Sequence, residues 1–315
     1  MAAINNSISN LSTENQTFYD RTLLSRLLPE LHFYKDAKKK KIPKGKGTKI
    51  EWRIFKSLAV PTTPLEEGVT PTGKNLDISP VTAECSQYGD YVTVSDVLDM
   101  QGKDPVIAET SALEGEQAAQ LVDILIRDTV TGGTNVRYAN GKASRATLTA
   151  SDVLKGADVK KAVRDLRKYN AKPFSDGCFH AIISPEQAYD LMSDTSDGGW
   201  IDANKYTDNR PLLKGEIGEY AGVRFMTTSN TKVVNTTTES AAGIDVHLGV
   251  IYGKDSYGVP EIGDGSAAKP SIIVKTDGGN SDPLNQRNTI GWKNMFTCKR
   301  LEEKSIVRIE TGVTA

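Results

Sequence analysis

Residues 50–98 read IEWRIFKSLAVPTTPLEEGVTPTGKNLDISPVTAECSQYGDYVTVSDVL, and the architecture turns on this stretch. Both of its ends have strand periodicity. Ile50, Trp52 and Ile54 point one way and Glu51 and Arg53 the other, the period of two that a pleated strand imposes. From Tyr88 to Leu98, Val92 and Val94 alternate with Tyr91, Thr93 and Ser95. Between these ends lies AVPTTPLEEGVTPTGKNLDISP (59–80), rich in Pro, Thr and Gly and without apolar periodicity. Two strands joined by more than thirty residues of turn chemistry predict a long hairpin or flap. Loops of that length are uncommon inside compact domains and are usually functional or interface-forming. Such a hairpin cannot bury both faces on its own body. Trp52, Ile54, Val92 and Val94 are therefore expected to seek a neighbouring surface, and the backbone edges invite pairing with another copy.

Toward the N-terminus, Lys35 to Lys49 carries eight lysines, four of them consecutive at Lys38, Lys39, Lys40 and Lys41, loosened by Gly45 and Gly47. A basic run of this kind can bind phosphate, and more often forms a solvated loop or a charge patch between subunits. Before it, Thr13 and Gln16 fit a capping box for an amphipathic helix with Phe18, Leu23, Leu24, Leu27, Leu28 and Leu31 on one side, interrupted at Pro29. Residues 1–12 are polar, and mobility is expected until something pins them.

Toward the C-terminus, Asp104-Pro105 is expected to open a helix as N-cap and first helical residue, ending at Gly132-Gly133. At 1.5 Å per residue it is about 40 Å long, which suits a spine on which other elements lie. The connector at 131–149 has the composition of an exposed loop. Residues 151–251 read as mixed α/β. Ser151-Asp152 would cap a helix through Lys168, His180 to Ile183 a short buried strand, and Ser184-Pro185-Glu186 the start of a helix carrying Tyr189 and Leu191. A polar loop is expected at 193–211, and strands at 223–226 and 246–251. Short strands and turns follow to residue 315, including 271–275 and 305–309. The fold class is α+β.

No chemistry rises above packing. A formal net charge of −1 supplies no bulk attraction for nucleic acid or membrane, so any such affinity needs a local patch. Cys85, Cys178 and Cys298 are distant and odd in number, which points to free thiols in a reducing cytoplasm rather than a disulfide framework or zinc site. No stretch approaches the ~18 apolar residues of a spanning helix, and the N-terminus lacks the pattern of a signal peptide. The expectation is a protein made and used in soluble form inside a cell. His32, His180 and His247 have no partner at metal-ligand spacing. Cys178-x-His180 could be a reactive pair, but a short apolar strand is a poor place for a thiolate, and core packing is the expectation. Gly45-Lys46-Gly47-Thr48-Lys49 lacks the spacing and preceding strand of a phosphate loop, and Gly263-Asp264-Gly265-Ser266 lacks the order of a dinucleotide site. No catalytic residue, cofactor or metal site is expected, and the chain reads as a self-assembling structural protein rather than an enzyme.

The order of elements, with the segments FYDRTLLSRLLPELHFY, IPKGKGTKIEWRIF, TTPLEEGVTPTG, SQYGDYVTVSDVLD and LEGEQAAQLVDILIRD, resembles the major capsid protein of tailed bacteriophages. That shell fold is shared with herpesviruses and encapsulin nanocompartments. VKKAVRDLRK and ISPEQAYDL carry a looser likeness in the C-terminal half. The resemblance implies an N-terminal arm at 1–45, an extended loop at 46–98, and a spine helix with the start of a peripheral domain at 99–150. It further implies a mostly axial domain at 151–250 and returning strands of the peripheral domain at 251–315. Implied too are pentamers and hexamers enclosing double-stranded DNA, synthesis in the bacterial host cytoplasm, residence in the virion, and scaffolding, portal and decoration proteins as partners. In that setting Lys38–Lys41 would touch packaged DNA or pair with acidic patches such as Glu66-Glu67 on a neighbour. The second is preferred, because a shell must release the DNA it ejects. The alternatives are a cellular nanocompartment shell and a soluble nucleic-acid-binding protein using Lys35–Lys49.

Overall fold

The computed structural model describes residues 32–43, 47–65, 67–102, 105–196, 200, 216–235, 244–262, 271–275, 282, 284 and 286–314. The helix expected over 13–31, the glycine cluster at 263–266, Glu66 and Asp104 lie outside them.

In chain order the elements are β1 (Lys38–Ile42), β2 (Lys49–Phe55), β3 (Ile78–Glu84), β4 (Ser86–Ser95), α1 (Asp96–Gln101), α2 (Val106–Thr131) and β5 (Val136–Tyr138). Next come α3 (Gly156–Lys168), β6 (Phe179–Ile183), α4 (Pro185–Met192), β7 (Glu216–Tyr220), β8 (Val223–Thr227), β9 (Lys232–Asn235) and β10 (Asp245–Tyr252). The chain finishes with β11 (Tyr257–Ile262), β12 (Ser271–Lys275), β13 (Arg287–Phe296), β14 (Lys299–Arg300) and β15 (Ile306–Thr311).

The largest sheet has seven strands in the order β5-β15-β10-β6-β8-β7, with β9 also paired to β10. β10 is buried at every residue after Asp245, because both faces of the sheet are covered. Alternate residues divide between the two covers. Ala181, Ile183 and Ile251 pack with Val159, Val163 and Leu166 of α3 and Leu191 of α4. Ile182, Val250 and Tyr252 pack with Val122, Ile126 and Val130 of α2. The expected strands at 180–183, 223–226 and 246–251 are therefore present, as is the helix opened by Ser184, whose side chain completes a capping box with Gln187.

Two helix starts differ from expectation. α2 begins at Val106 with Pro105 as N-cap and no side-chain cap. α3 begins at Gly156 rather than at Ser151-Asp152. The Asp152 carboxylate is held in the preceding turn, where it accepts from the Thr149 amide at 2.9 Å and the Asn140 side chain at 3.1 Å. Asp194, thirty-eight residues downstream, instead accepts from the Gly156 amide at 2.8 Å.

The connector at 131–149 is also not an exposed loop. It contributes β5, and Ala139 and Leu148 are fully buried against Val246 and Leu248. Arg145 clamps it to β15 through a bidentate pair with buried Glu310, at 2.7 and 2.9 Å. Of the polar segment 193–211, Trp200 is buried against Tyr220 and Phe225.

The flap is rearranged relative to its expected form. β2 pairs with β3, not with β4. The inward residues of β3 are Ser79, Val81 and Ala83, a weak apolar pattern interrupted by Pro80, which an edge strand tolerates. β4 pairs with β13 along ten residues and belongs to the body. It ends at Ser95, whose hydroxyl caps α1.

Two glycines are expected to respond in opposite senses to alanine. At Gly156 a Cβ would overlap the Tyr220 hydroxyl and lie 3.0 Å from its ring carbon, so Gly156→Ala should cost about 1–3 kcal/mol. At Gly115, inside α2, the nearest side-chain atom would be 3.7 Å away, so Gly115→Ala should add about 0.5–1 kcal/mol through helix propensity. Urea unfolding of the two variants measures both.

Candidate functional site

β2 and β3 run in register from Lys49 opposite Glu84 to Phe55 opposite Ile78. Only the root of this ribbon is buried. Ile50, Trp52, Ala83 and Cys85 pack with Ile42 of β1 and with Met295 and Leu301. The Trp52 ring lies so close to Gly258 of β11 that a Cβ there would be 2.9 Å from it. Beyond Phe55, the described residues from 56 to 77 form no helix or strand. Lys56 pairs with Asp77 at 2.6 Å, and Lys74 donates to the Ala59 carbonyl at 2.6 Å. Large apolar side chains nevertheless remain in solvent: Phe55, Leu58, Val60, Leu65, Val69 and Leu76, with Val60 at 81% and Leu65 at 77% exposure. An apolar set of this size on a projecting segment marks an interaction surface.

The residues singled out from the sequence are distributed differently. Trp52 and Val94 are buried inside the chain, at 6% and 1% exposure, which removes them from any surface a neighbour could reach. Ile42 of β1, Gly258 of β11, Met295 and Leu301 cover the first, and Leu98 and Ile290 cover the second, a cover that strand periodicity alone does not reveal. Ile54 and Val92 are half-buried, and Glu67 is exposed. The outward-facing apolar residues of the hairpin end begin at Phe55, the last residue of β2, and continue beyond it, where no periodicity signals them.

Lys38–Lys41 form a strand rather than a loop. β1 pairs parallel with β11 and occupies the edge of the β1-β11-β14 sheet, all four lysines exposed. Pairing with β11, from Gly258 through buried Val259 and Glu261, overrides lysine's weak strand preference, and the charges protect the free edge. Lys38 reaches Asp255 at 2.9 Å, Lys39 lies 4.2 Å from the Tyr34 ring centre, and Lys40 donates to the Glu51 carbonyl at 2.6 Å.

Just before β1 the chain is fastened to the body. Phe33 is buried among α2, β10 and β11. Its amide donates to Asp123 at 3.0 Å, and its carbonyl accepts from Tyr257 at 2.7 Å. Burial lifts the pKa of Asp123 above its ordinary value, against the lowering effect of its Asn230 and Phe33 donors. Asp36 then accepts from Tyr252 at 2.9 Å and meets His180 Nδ1 at 2.6 Å. His180 Nε2 lies 3.0 Å from Asp176, Arg224 pairs with Asp176 at 2.7 Å, and Phe174 stacks on the imidazole at 4.0 Å. Burial opposes the imidazolium, but the hydrogen bond and charge of Asp36, then of Asp176, hold the His180 pKa above its ordinary 6.5. For Asp176, burial is outweighed by His180, the Cys178 amide and Arg224, and its pKa is lowered. The Cys178 thiol is pushed up to about 12, first by burial and then by Glu219, so no thiolate pairs with His180. Sequence reading missed this junction because Asp36 is 144 residues from its partner.

Among the described residues, no cluster of His, Cys, Asp and Glu could hold a metal ion, and no helix is long and apolar enough to cross a membrane. A family model described as phage capsid protein matches residues 80–309, most of the chain. This chain belongs to the phage capsid protein family. As a capsid protein it has a structural role in the shell of a virion and is not an enzyme. Its fold is similar to the capsid of Ralstonia phage GP4, with 13% identity, a TM-score of 0.76, and 95% of this chain and 96% of that one covered. It is similar also to the capsid of cyanophage Pam1, at 13% identity and a TM-score of 0.71 over 96% and 97% of the two chains. The head of Helicobacter pylori bacteriophage KHP40 matches at 13% and 0.71 over 98% of each. No curated protein matches the capsid protein's sequence.

The Asp36–His180–Asp176 junction should make the capsid protein's stability pH-dependent on both sides. The raised His180 pKa contributes stability that is complete below pH 6.5 and is lost as pH rises through the higher folded value. The lowered Asp176 pKa contributes stability present above 3.8 and lost as pH falls through the folded value. His180→Gln should therefore cost about 1–3 kcal/mol at about pH 5.5 and less at about pH 8.5, read by urea unfolding at each pH.

Proposed function

We propose that this capsid protein is the repeating subunit of an icosahedral tailed-phage shell, assembling into pentamers and hexamers around double-stranded DNA. One observation carries this reading: the end of the β2–β3 hairpin leaves Phe55, Leu58, Val60, Leu65 and Leu76 uncovered by the chain that bears them. A ribbon rooted in one subunit and bare at its end makes a head-to-tail contact, and such contacts close into rings. In this reading 46–98 is the extended loop, of which the uncovered end of the β2–β3 hairpin lies over an adjacent subunit, and 1–45 is the N-terminal arm. α2 is the spine of a peripheral domain completed by the strands of 251–315, and 151–250 supply most of an axial domain around the ring centres. Lys38–Lys41 and Glu67 join the contacts between subunits, with Ile54 and Val92 at their margin. Scaffolding, portal and decoration proteins are the further partners, and synthesis takes place in the bacterial host cytoplasm.

Particle mass in solution, with electron micrographs of the same sample, tests the reading. Rings of five or six copies or closed shells are expected. A chain that stays monomeric even when co-expressed with the neighbouring phage genes would overturn it. The double variant Val60→Asp/Leu65→Asp should abolish assembly while leaving monomer stability within about 0.5 kcal/mol, since both side chains are in solvent in the isolated chain. Normal assembly by that variant would remove the hairpin end from the interface.

A further inference from the structure

Helix α3 carries Lys160, Lys161, Arg164, Arg167 and Lys168, and all five are exposed. Their spacing sets them along one stripe, opposite buried Val159, Ala162, Val163 and Leu166. The helix's two acids do not interleave with this stripe. Asp158 and Asp165 are buried beneath it, at 4% and 5% exposure. Asp158 pairs with Lys161 at 3.1 Å, while Asp165 pairs with Arg164 at 3.0 Å and with Arg137 of β5 at 2.6 Å. Six cations thus gather around the two buried carboxylates of this helix. Beside the stripe a pocket of about 420 Å³ opens between Arg137, Arg164, Lys168 and Tyr169, floored by Asn135 and Asp165. The net charge of −1 for the whole chain conceals this local gathering of cations.

We propose that the exposed face of α3, with Arg137 at its end, binds the phosphate backbone of nucleic acid. A protein partner fits the face less well. Protein interfaces are depleted of lysine and centred on apolar anchors, whereas the only uncharged residue exposed on α3 is Ala157. A duplex presents one negative charge per ~1.7 Å of axis, and residues 160–168 extend about 12 Å along the helix. The lysine strand β1 is the weaker competitor, because strand alternation turns its four lysines toward opposite faces, whereas the five cations of α3 share one. Contacts of this kind are non-specific and weak, with dissociation constants of roughly 10⁻⁴–10⁻⁶ M, so they hold DNA near a wall without preventing its release. The biological setting rests on the shell reading above; the binding itself does not.

Fluorescence anisotropy of a labelled duplex of about 30 base pairs and arbitrary sequence, titrated with the full chain between about 50 and 200 mM salt, tests the proposal. Each phosphate contact adds about 0.9 to the slope of log affinity against log salt. Lys160→Gln/Lys161→Gln/Arg167→Gln/Lys168→Gln should lower that slope by about 3–4, and the counterpart with each lysine exchanged for arginine and Arg167 for lysine should retain it. Thermal unfolding confirms that both variants fold; if the fourfold variant does not, Lys160→Gln/Lys168→Gln should still lower the slope by about 2. An unchanged slope in the glutamine variant overturns the proposal, and a simultaneous loss of assembly would assign the face to a protein partner. A slope lost only in a Lys38–Lys41→Gln variant overturns it in favour of β1. Absence of duplex binding by the full chain also overturns it, while particle mass continues to decide the shell reading independently.

Discussion

The burial of β10 on both faces is the constraint on which the rest of the molecule depends. A strand with one solvated face would need one cover, but β10 is buried from Val246 to Tyr252 and needs two. α2 supplies one cover and the α3–α4 pair the other. β15 and β6 occupy its edges, with β9 beside its first half. Elements from almost the full length of the chain are therefore placed by a single strand near residue 250.

That packed body explains why the hairpin can stand away from it. The root is held by Trp52 against Gly258 and by Ile42, Ile50 and Cys85, so the ribbon has a rigid base. Its end is tied locally, by Lys56 to Asp77 and by Lys74 to the Ala59 carbonyl. A packed root and uncovered apolar surface at the other end support the docking role proposed for it. Polar groups show the same division. Inside the body, carboxylates such as Glu310, Asp165 and Asp123 are paired or hydrogen-bonded. Outside it, α3 and β1 turn rows of cations toward solvent.

The segment just before β1 joins these two regimes. Phe33 is a buried apolar anchor, and Asp36 a half-buried acid whose partners, His180 and Tyr252, come from adjacent strands of the large sheet. The segment Phe33–Asp36 is therefore held by charge as well as by packing. An ionic clamp of this type is costly to break from one side, because the remaining charge is left buried without its partner.

Local sequence by itself determined the elements with strong periodicity or explicit capping. The long helix up to Gly132, the strands at 180–183 and 246–251, the Ser184 capping box and the absence of catalytic motifs could all be read there. So could the presence of a flap, since Pro- and Thr-rich chain of that length has no other way to be accommodated. The capsid resemblance read from short segments agrees with the family to which the chain belongs. Tertiary structure alone decided the partners. β3 replaced β4 in the hairpin because Ser79, Val81 and Ala83 become an inward face only opposite Trp52 and Ile54. α3 began at Gly156 because its first amide is capped by Asp194 from another part of the chain. Trp52 turned inward because Ile42 of β1 and Gly258 of β11 lie against it, and Val94 because Leu98 of α1 and Ile290 of β13 do. The physical reason is the same in each case. Periodicity records which side of an element is apolar, whereas pairing, capping and cover depend on residues tens to hundreds of positions away, which only the folded chain brings together.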